Sequence, residues 1–423
     1  MESLSDNFLF IKKRIAASLF VVIFVFILKL VFLDVCDMFS EVVGYQCRDQ
    51  GTEEWLLFGL ISVLPVFFMP LIGKSPSAVV LWVVYLSHLI PSVIVMRAIS
   101  EVPFEVALMW TVAIVVLFVL IVFLSKNRLD IRLKLSIRYE TASNFLIFIG
   151  AVFVILMVNT YGFSIEPPSI DDVYGVRSEY KDALAASGSA FMGYVPILGG
   201  FSVAPLLLLL AVRFYRSHSL RSWLMVFLSL FLSFVIYSSA GFKSVAFSSL
   251  VVFLAYFVLR RVKNYGYFLS MAIPFFVFFN FICAYLFGWE IVLYHWIRRV
   301  FISPGMNTTY FFDYLYYFDV FKGYPPEIVS KYYYGTDGSA NAGLFGDAIG
   351  RFGVLGLFLN SFLLLMSLKF LDSLSRSGDP IVSGSLSFLA GYAISNSSLS
   401  TVLFSYGFVF SGFLLFLLRK HIS

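Results

Sequence analysis

The stretch KKRIAASLFVVIFVFILKLVFL, residues 12–33, decides the fold. Three basic residues are followed by an apolar run whose only charge is Lys29. About 20 apolar residues, at about 1.5 Å of rise each, cross the hydrocarbon of a bilayer as a helix. The run is too long for the apolar part of a signal peptide, so it reads as an uncleaved first span. Working outward, similar runs recur at 55–72, 77–95, 104–124, 143–160, 189–212, 222–238, 244–260, 267–287, 350–370, 381–396 and 400–418. The expectation is an all-α polytopic membrane helix bundle of about twelve spans, with 1–423 as a single membrane domain. Composition agrees. The 423 residues are 60% hydrophobic and 13% charged, about half the charge of a soluble domain, which excludes a soluble globular enzyme and a disordered chain.

Lysine and arginine assign the sides. With the N-terminus in the cytoplasm, nineteen of the thirty fall in cytoplasmic segments, ten fall outside, and Lys29 is within a span. Both termini are then cytoplasmic. Two outer loops are long, 161–188 and 288–349, and the machinery is expected there. No internal repeat stands out. Cys36 and Cys47 share a short polar loop. They can pair if it faces an oxidising compartment, and otherwise they are unrelated. No cysteine or histidine spacing suggests a metal.

The first long loop carries a candidate surface helix over 171–186, with Arg177 and Glu179 in it. The second carries Arg298 and Arg299 in apolar surroundings, where a guanidinium needs an anion or must snorkel to headgroups. Arginine's planar fork suits phosphate. Lys243 sits in the short turn of SSAGFKS. With Arg177 and Arg299 it is expected to form one pyrophosphate pocket, with Arg298 as a fourth member. Residues 310–334 hold eight tyrosines. An interfacial belt explains some of them, and Tyr310, Tyr314 and Tyr317 are candidates for packing on sugars. The general-base candidates are His295, Asp347 and Glu179, in that order. Asp347 and Arg351 are one helical turn apart and can pair.

These stretches resemble the Wzy-type O-antigen and oligosaccharide repeat-unit polymerases. The likeness lies in Arg177 followed by ten residues and then Gly188, in GFKS at 241–244, in RRVFISPG at 298–305, and in GLFGDAIGRFGVLG at 343–356. A second arginine-ten-glycine spacing is absent, since five residues separate Arg299 from Gly305. The resemblance implies a GT-C-like bundle in a bacterial inner membrane, without cofactor. Its substrates would be undecaprenyl-pyrophosphate-linked glycans on the periplasmic face, and the growing glycan would pass to the non-reducing end of a new lipid-linked unit. The partners implied are the lipid bilayer and a chain-length regulator protein, with no nucleic acid. An O-antigen ligase differs only in its acceptor. A transporter or flippase of lipid-linked sugars would instead show polar residues deep in its spans and matched broken helices in two halves.

Overall fold

The computed structural model describes residues 2–43, 47–48, 51–71, 75–127, 136–169, 172–215, 219–262, 264–288, 293–318, 326–335, 340–375 and 379–422. Parts of the second expected loop, with Lys322 and Tyr324, lie outside them, as does Lys74. Among the described residues the chain is helical and has no β-strand. Backbone groups in hydrocarbon have no water to bond and must be satisfied within each segment, which a helix does. The protein is a polytopic membrane helix bundle.

The chain is built of two compact units. One comprises Met1–Arg128, Val262–Lys369 and Gly391–Leu399, the other Leu129–Arg261, Phe370–Ala390 and Ser400–Ser423. In the first unit, α1 (Glu2–Val43), α2 (Thr52–Val63), α3 (Pro76–Ile99) and α4 (Phe104–Ser125) open the chain. In the second, α5 (Tyr139–Tyr161), α6 (Val173–Ser187), α7 (Ala190–Phe214), α8 (Ser219–Ala240) and α9 (Lys243–Arg261) follow. The first unit resumes with α10 (Tyr265–Phe287), α11 (Leu293–Ile302), α12 (Ser303–Phe318), α13 (Pro326–Tyr334) and α14 (Gly343–Ser375). The chain ends with α15 (Pro380–Asn396) and α16 (Phe408–Ile422).

Nine of the described helices are long and apolar enough to cross a membrane, against the twelve expected. The 55–72 run is α2 followed by a tight turn at Leu64–Phe67, because Pro65 lacks the N–H that would continue the α-helix. The 400–418 run is divided by a wide turn at Thr401–Ser405 and by Gly407. The 381–396 run is α15, of 17 residues, just short of a span.

Each unit is organised around its most buried helix. α3 is apolar on every side, and its core is wholly buried against α1, α2, α4, α10 and α12. α7 has the same place in the second unit, against α5, α8 and α9. Both helices meet the same problem, a proline in mid-course, and solve it alike. In α3 the residues Tyr85–Leu89 form a wide π turn, and the N–H of Ile90 donates five residues back to the Tyr85 carbonyl, just before Pro91. In α7 the residues Gly199–Val203 do the same, with Ala204 donating to Gly199 before Pro205. The wider register steps the ladder past the missing donor. A serine then braces each turn. Ser87 Oγ lies 2.7 Å from Ser395 Oγ in the first unit, and Ser202 Oγ lies 2.5 Å from Ser411 Oγ in the second. These breaks, YLSHLIP and GGFSVAP, share the proline and a nearby serine.

α14 is a hairpin rather than one straight span. Phe352 (φ −138°, ψ 17°) and Gly353 (φ 57°, ψ −146°) leave helical geometry. Asn360 Nδ2 reaches back to the Leu344 carbonyl at 3.3 Å. A Cβ on Gly356 would stand 1.9 Å from the Ala348 carbonyl oxygen. The limbs 343–351 and 354–360 therefore run antiparallel and in contact. The short limb is almost wholly buried up to Arg351, so it re-enters the unit instead of emerging as a loop.

Gly353 occupies a backbone region closed to L side chains. Gly353→Ala is expected to destabilise the protein by about 1–3 kcal/mol, read as a lower melting temperature of the detergent-solubilised protein, whereas Gly51→Ala, with open space around it, leaves it nearly unchanged.

Candidate functional site

In the second unit the first expected loop folds as α6 and packs on α5, α7 and α8. Asp172 precedes it and Gly188, in left-handed geometry, ends it. Arg177 lies on its packed side. Its Nε and Nη2 each donate to the Gly241 carbonyl at 3.2 Å, and the guanidinium carbon stands 5.9 Å from the centre of the Phe242 ring. The N–H of Lys243 donates to the same carbonyl at 3.2 Å. Two of the expected cations, Arg177 and Lys243, thus come from distant segments to one turn. Ser239 Oγ donates to the Gly162 carbonyl at 2.8 Å and Tyr237 Oη to Pro168 at 3.1 Å, tying the rest of the loop to the end of α8. Glu179 is exposed on α6.

Arg298, Arg299 and His295 belong to α11 in the first unit. The helix is strongly amphipathic. Ile297, Phe301 and Ile302 are buried, with Phe301 edge-on to Phe24 of α1. Arg298 is half-buried and Arg299 is exposed. The segment is π-wound over Leu293–Ile302. The side chain of His295 lies outside what the structure describes.

The tyrosines divide by burial. Tyr310 is 1% exposed, stacked on Tyr333 at 4.2 Å and edge-on to Tyr334. Protein packs around its ring. Tyr314 is half-buried against Phe318 and Tyr332. Among the described tyrosines of this segment, Tyr316, Tyr317 and Tyr332 are exposed. Below them, Tyr334 Oη donates to Asn307, and Asn307 Nδ2 and Thr308 Oγ1 donate to the carbonyls of Asn341 and Ala342, just before the α14 hairpin.

Asp347 lies on the buried limb of that hairpin. Arg351 Nε donates to both its oxygens, at 2.9 and 3.0 Å, and Arg351 Nη2 reaches Ser398 Oγ at 3.5 Å. The expected pair is formed. A carboxylate so paired is held in a fixed orientation.

Two residues were missed from sequence. His88, fully buried in the π turn of α3, accepts the Phe345 N–H on Nε2 at 3.4 Å and stacks on the Phe345 ring. It therefore caps the start of the re-entrant limb. Asp313, buried among the aromatic residues of α12, accepts Ser100 Oγ–H at 2.6 Å and the Glu101 N–H at 3.4 Å. Burial lifts its carboxyl to about 7, against the lowering effect of those two hydrogen bonds and of Arg48, while the charge of Glu101 adds to the rise. The signal for Asp313 was an acid inside YFFDYLYY. For His88 it was a histidine three residues before a proline in mid-span.

Among the described residues no cluster of histidine, cysteine and carboxylates could hold a metal. No family description, curated protein or solved structure matches the chain.

The carboxyl of Asp313 titrates higher folded than unfolded, so the folded chain binds the extra proton between about pH 4 and 7. Its contribution to stability is fully present below the ordinary carboxylate range and is lost as pH rises through about 7. Asp313 is expected to make the wild type more stable at pH 5 than at pH 8 by about 2–3 kcal/mol, and Asp313→Asn is expected to remove that contribution, as measured by thermal unfolding at the two pH values.

Proposed function

We propose that this protein is a bacterial inner-membrane glycosyltransferase that polymerises undecaprenyl-pyrophosphate-linked oligosaccharide repeat units on the periplasmic face. The observation that carries the reading is the seating of Arg177 on the Gly241 carbonyl, which the Lys243 N–H also bonds, so that two cationic residues from distant segments share one turn at the start of α9. Arg298, half-buried, and Arg299, exposed, add a second pair of cationic residues on α11 in the first unit. The disulfide Cys36–Cys47 supports the sidedness. Such bonds persist in oxidising compartments, and the lysine and arginine bias assigns the same loop to the outside.

In the proposed reaction an acceptor sugar hydroxyl attacks the anomeric carbon of the growing glycan. The bond to the pyrophosphate oxygen breaks, and the lipid diphosphate leaves with its new charge stabilised by the cations. The hydroxyl proton passes to a carboxylate or imidazole among Asp347, His295 and Glu179. The exposed rings of Tyr317, Tyr316 and Tyr332 offer faces for the chain, with Tyr314 at their edge. Transfer to a different acceptor, as in a ligase, uses the same donor chemistry.

A second reading, transport of lipid-linked sugars, is favoured by one observation, the matched π turns before Pro91 and Pro205. Interrupted helices in corresponding places of two halves are the usual pointer to a translocation site.

Purified protein in proteoliposomes, given lipid-linked repeat units on one side, distinguishes the readings. The polymerase reading expects a ladder of glycan lengths on a gel, and Arg177→Lys or Lys243→Met to cut the rate about tenfold or more, the cost of a charge-assisted hydrogen bond. Movement of unextended units across the bilayer without a ladder would favour transport. Full activity of both variants would remove the cation site from the mechanism.

A further inference from the structure

The connection between α1 and α2 holds the disulfide found among the described residues, Cys36 on α1 with Cys47, their Cα atoms 6.0 Å apart. The next residue, Arg48, grips the end of α3 with both backbone and side chain. Its N–H donates to the Ala98 carbonyl at 2.8 Å, its Nη1 donates to the Ser100 carbonyl at 3.2 Å, and its Nη2 stands 3.9 Å from Glu101 Oε1. The gripped turn is the one that holds α12, since Ser100 Oγ and the Glu101 N–H both bond Asp313. On its other side Arg97 ties the same turn to α2, with Nε on Glu54 at 2.8 Å and Nη1 on the Val102 carbonyl at 3.0 Å. The links run in series from disulfide to Arg48, to the 98–101 turn, to Asp313, and so to the helix that carries Tyr314 and Tyr317.

The side-chain link from Arg48 to the turn is the weak one. Arg48 and Glu101 are both about half exposed, and an exposed pair at that distance contributes little unless its chain is already in position. The disulfide supplies that position by closing a separation of 11 residues, which removes most of the segment's freedom. Cys36 is buried and Cys47 exposed, so the bond is open to exchange from the Cys47 side.

We infer that the Cys36–Cys47 disulfide is a redox-sensitive clamp on the tyrosine-bearing helix. Closed, it seats Arg48 on the 98–101 turn and fixes Asp313 and α12. Opened, it releases Arg48 and loosens α12. Closure takes two electrons and two protons from the thiols and passes them to a disulfide-bearing oxidant of the compartment. A dithiol reverses the step and itself becomes the disulfide. The inference goes beyond the transfer reading, and its readout is conformational, so it stands or falls separately from activity.

The test is hydrogen exchange, read by mass spectrometry on the full-length folded protein before and after a phosphine reductant, with thiol alkylation reporting the state of the bond. Reduction of the wild type is expected to speed exchange at least tenfold in 98–102 and 310–318 and to leave 219–240 unchanged. Arg48→Ala is expected to show the fast rates with the bond intact and no further response to reductant. Cys36→Ser/Cys47→Ser is expected to show them in either buffer. The clamp is overturned by unchanged exchange once both thiols are alkylated, by an equal rise throughout both units, or by free thiols in the protein as purified. Wild-type exchange in Arg48→Ala overturns the route through the Arg48 side chain.

Discussion

A helix buried on every side cannot carry a proline in mid-course without rehousing the hydrogen bonds that the ring disturbs. α3 is such a helix, and much of the first unit follows from how it meets the constraint. The π turn at Tyr85–Leu89 widens the helix just before Pro91 and turns Ser87 and His88 toward neighbouring segments. Ser87 finds Ser395, and His88 receives the N–H of Phe345. That hydrogen bond requires Nε2 to be unprotonated, so the ring acts as an acceptor at the start of the α14 hairpin. A buried helix start needs acceptors for its first N–H groups, and the broken helix provides one. Proline, π turn and re-entrant limb are parts of a single solution to backbone satisfaction.

The second unit repeats the device with different side chains. Pro205 follows a π turn built of GGFSV, and Ser202 is braced by Ser411 and by the Gly407 carbonyl. Serine suits the role because its hydroxyl both donates and accepts and adds little volume in close helix packing. The two central helices share little sequence beyond the proline and a nearby serine. Their likeness is one of constraint, since the most buried helix of each unit is interrupted near its middle.

The polar chemistry lies toward the helix ends, where buried charges can reach partners. Arg177 is held by a carbonyl and an aromatic ring, and Arg97 and Arg351 by carboxylates. Lys29, the charge within the first span, stands 4.3 Å from the centre of the Trp55 ring, a contact that eases the cost of a cation at that depth. A search for charged residues at span ends finds most of these positions. It misses Asp313 and His88 because each is a lone polar residue in an apolar or aromatic run, and its function there depends on what packs opposite.

By itself the sequence determined the helical membrane bundle, since runs such as 15–33 have no alternative to helix in hydrocarbon. It determined the surface helix around Arg177 and the pairing of Asp347 with Arg351, because both follow from spacing along one helix. Only the tertiary structure decided that 55–72 and 400–418 are interrupted, that 343–360 doubles back at Gly353, and that Cys36 bonds Cys47. It also decided which tyrosines are core and which are surface, with Tyr310 and Tyr317 in the same helix on opposite sides of that division. The reason is physical. Hydropathy and periodicity report how a segment meets its solvent, whereas breaks, hairpins and buried polar pairs are set by partners far away in the chain, whose positions no local pattern encodes.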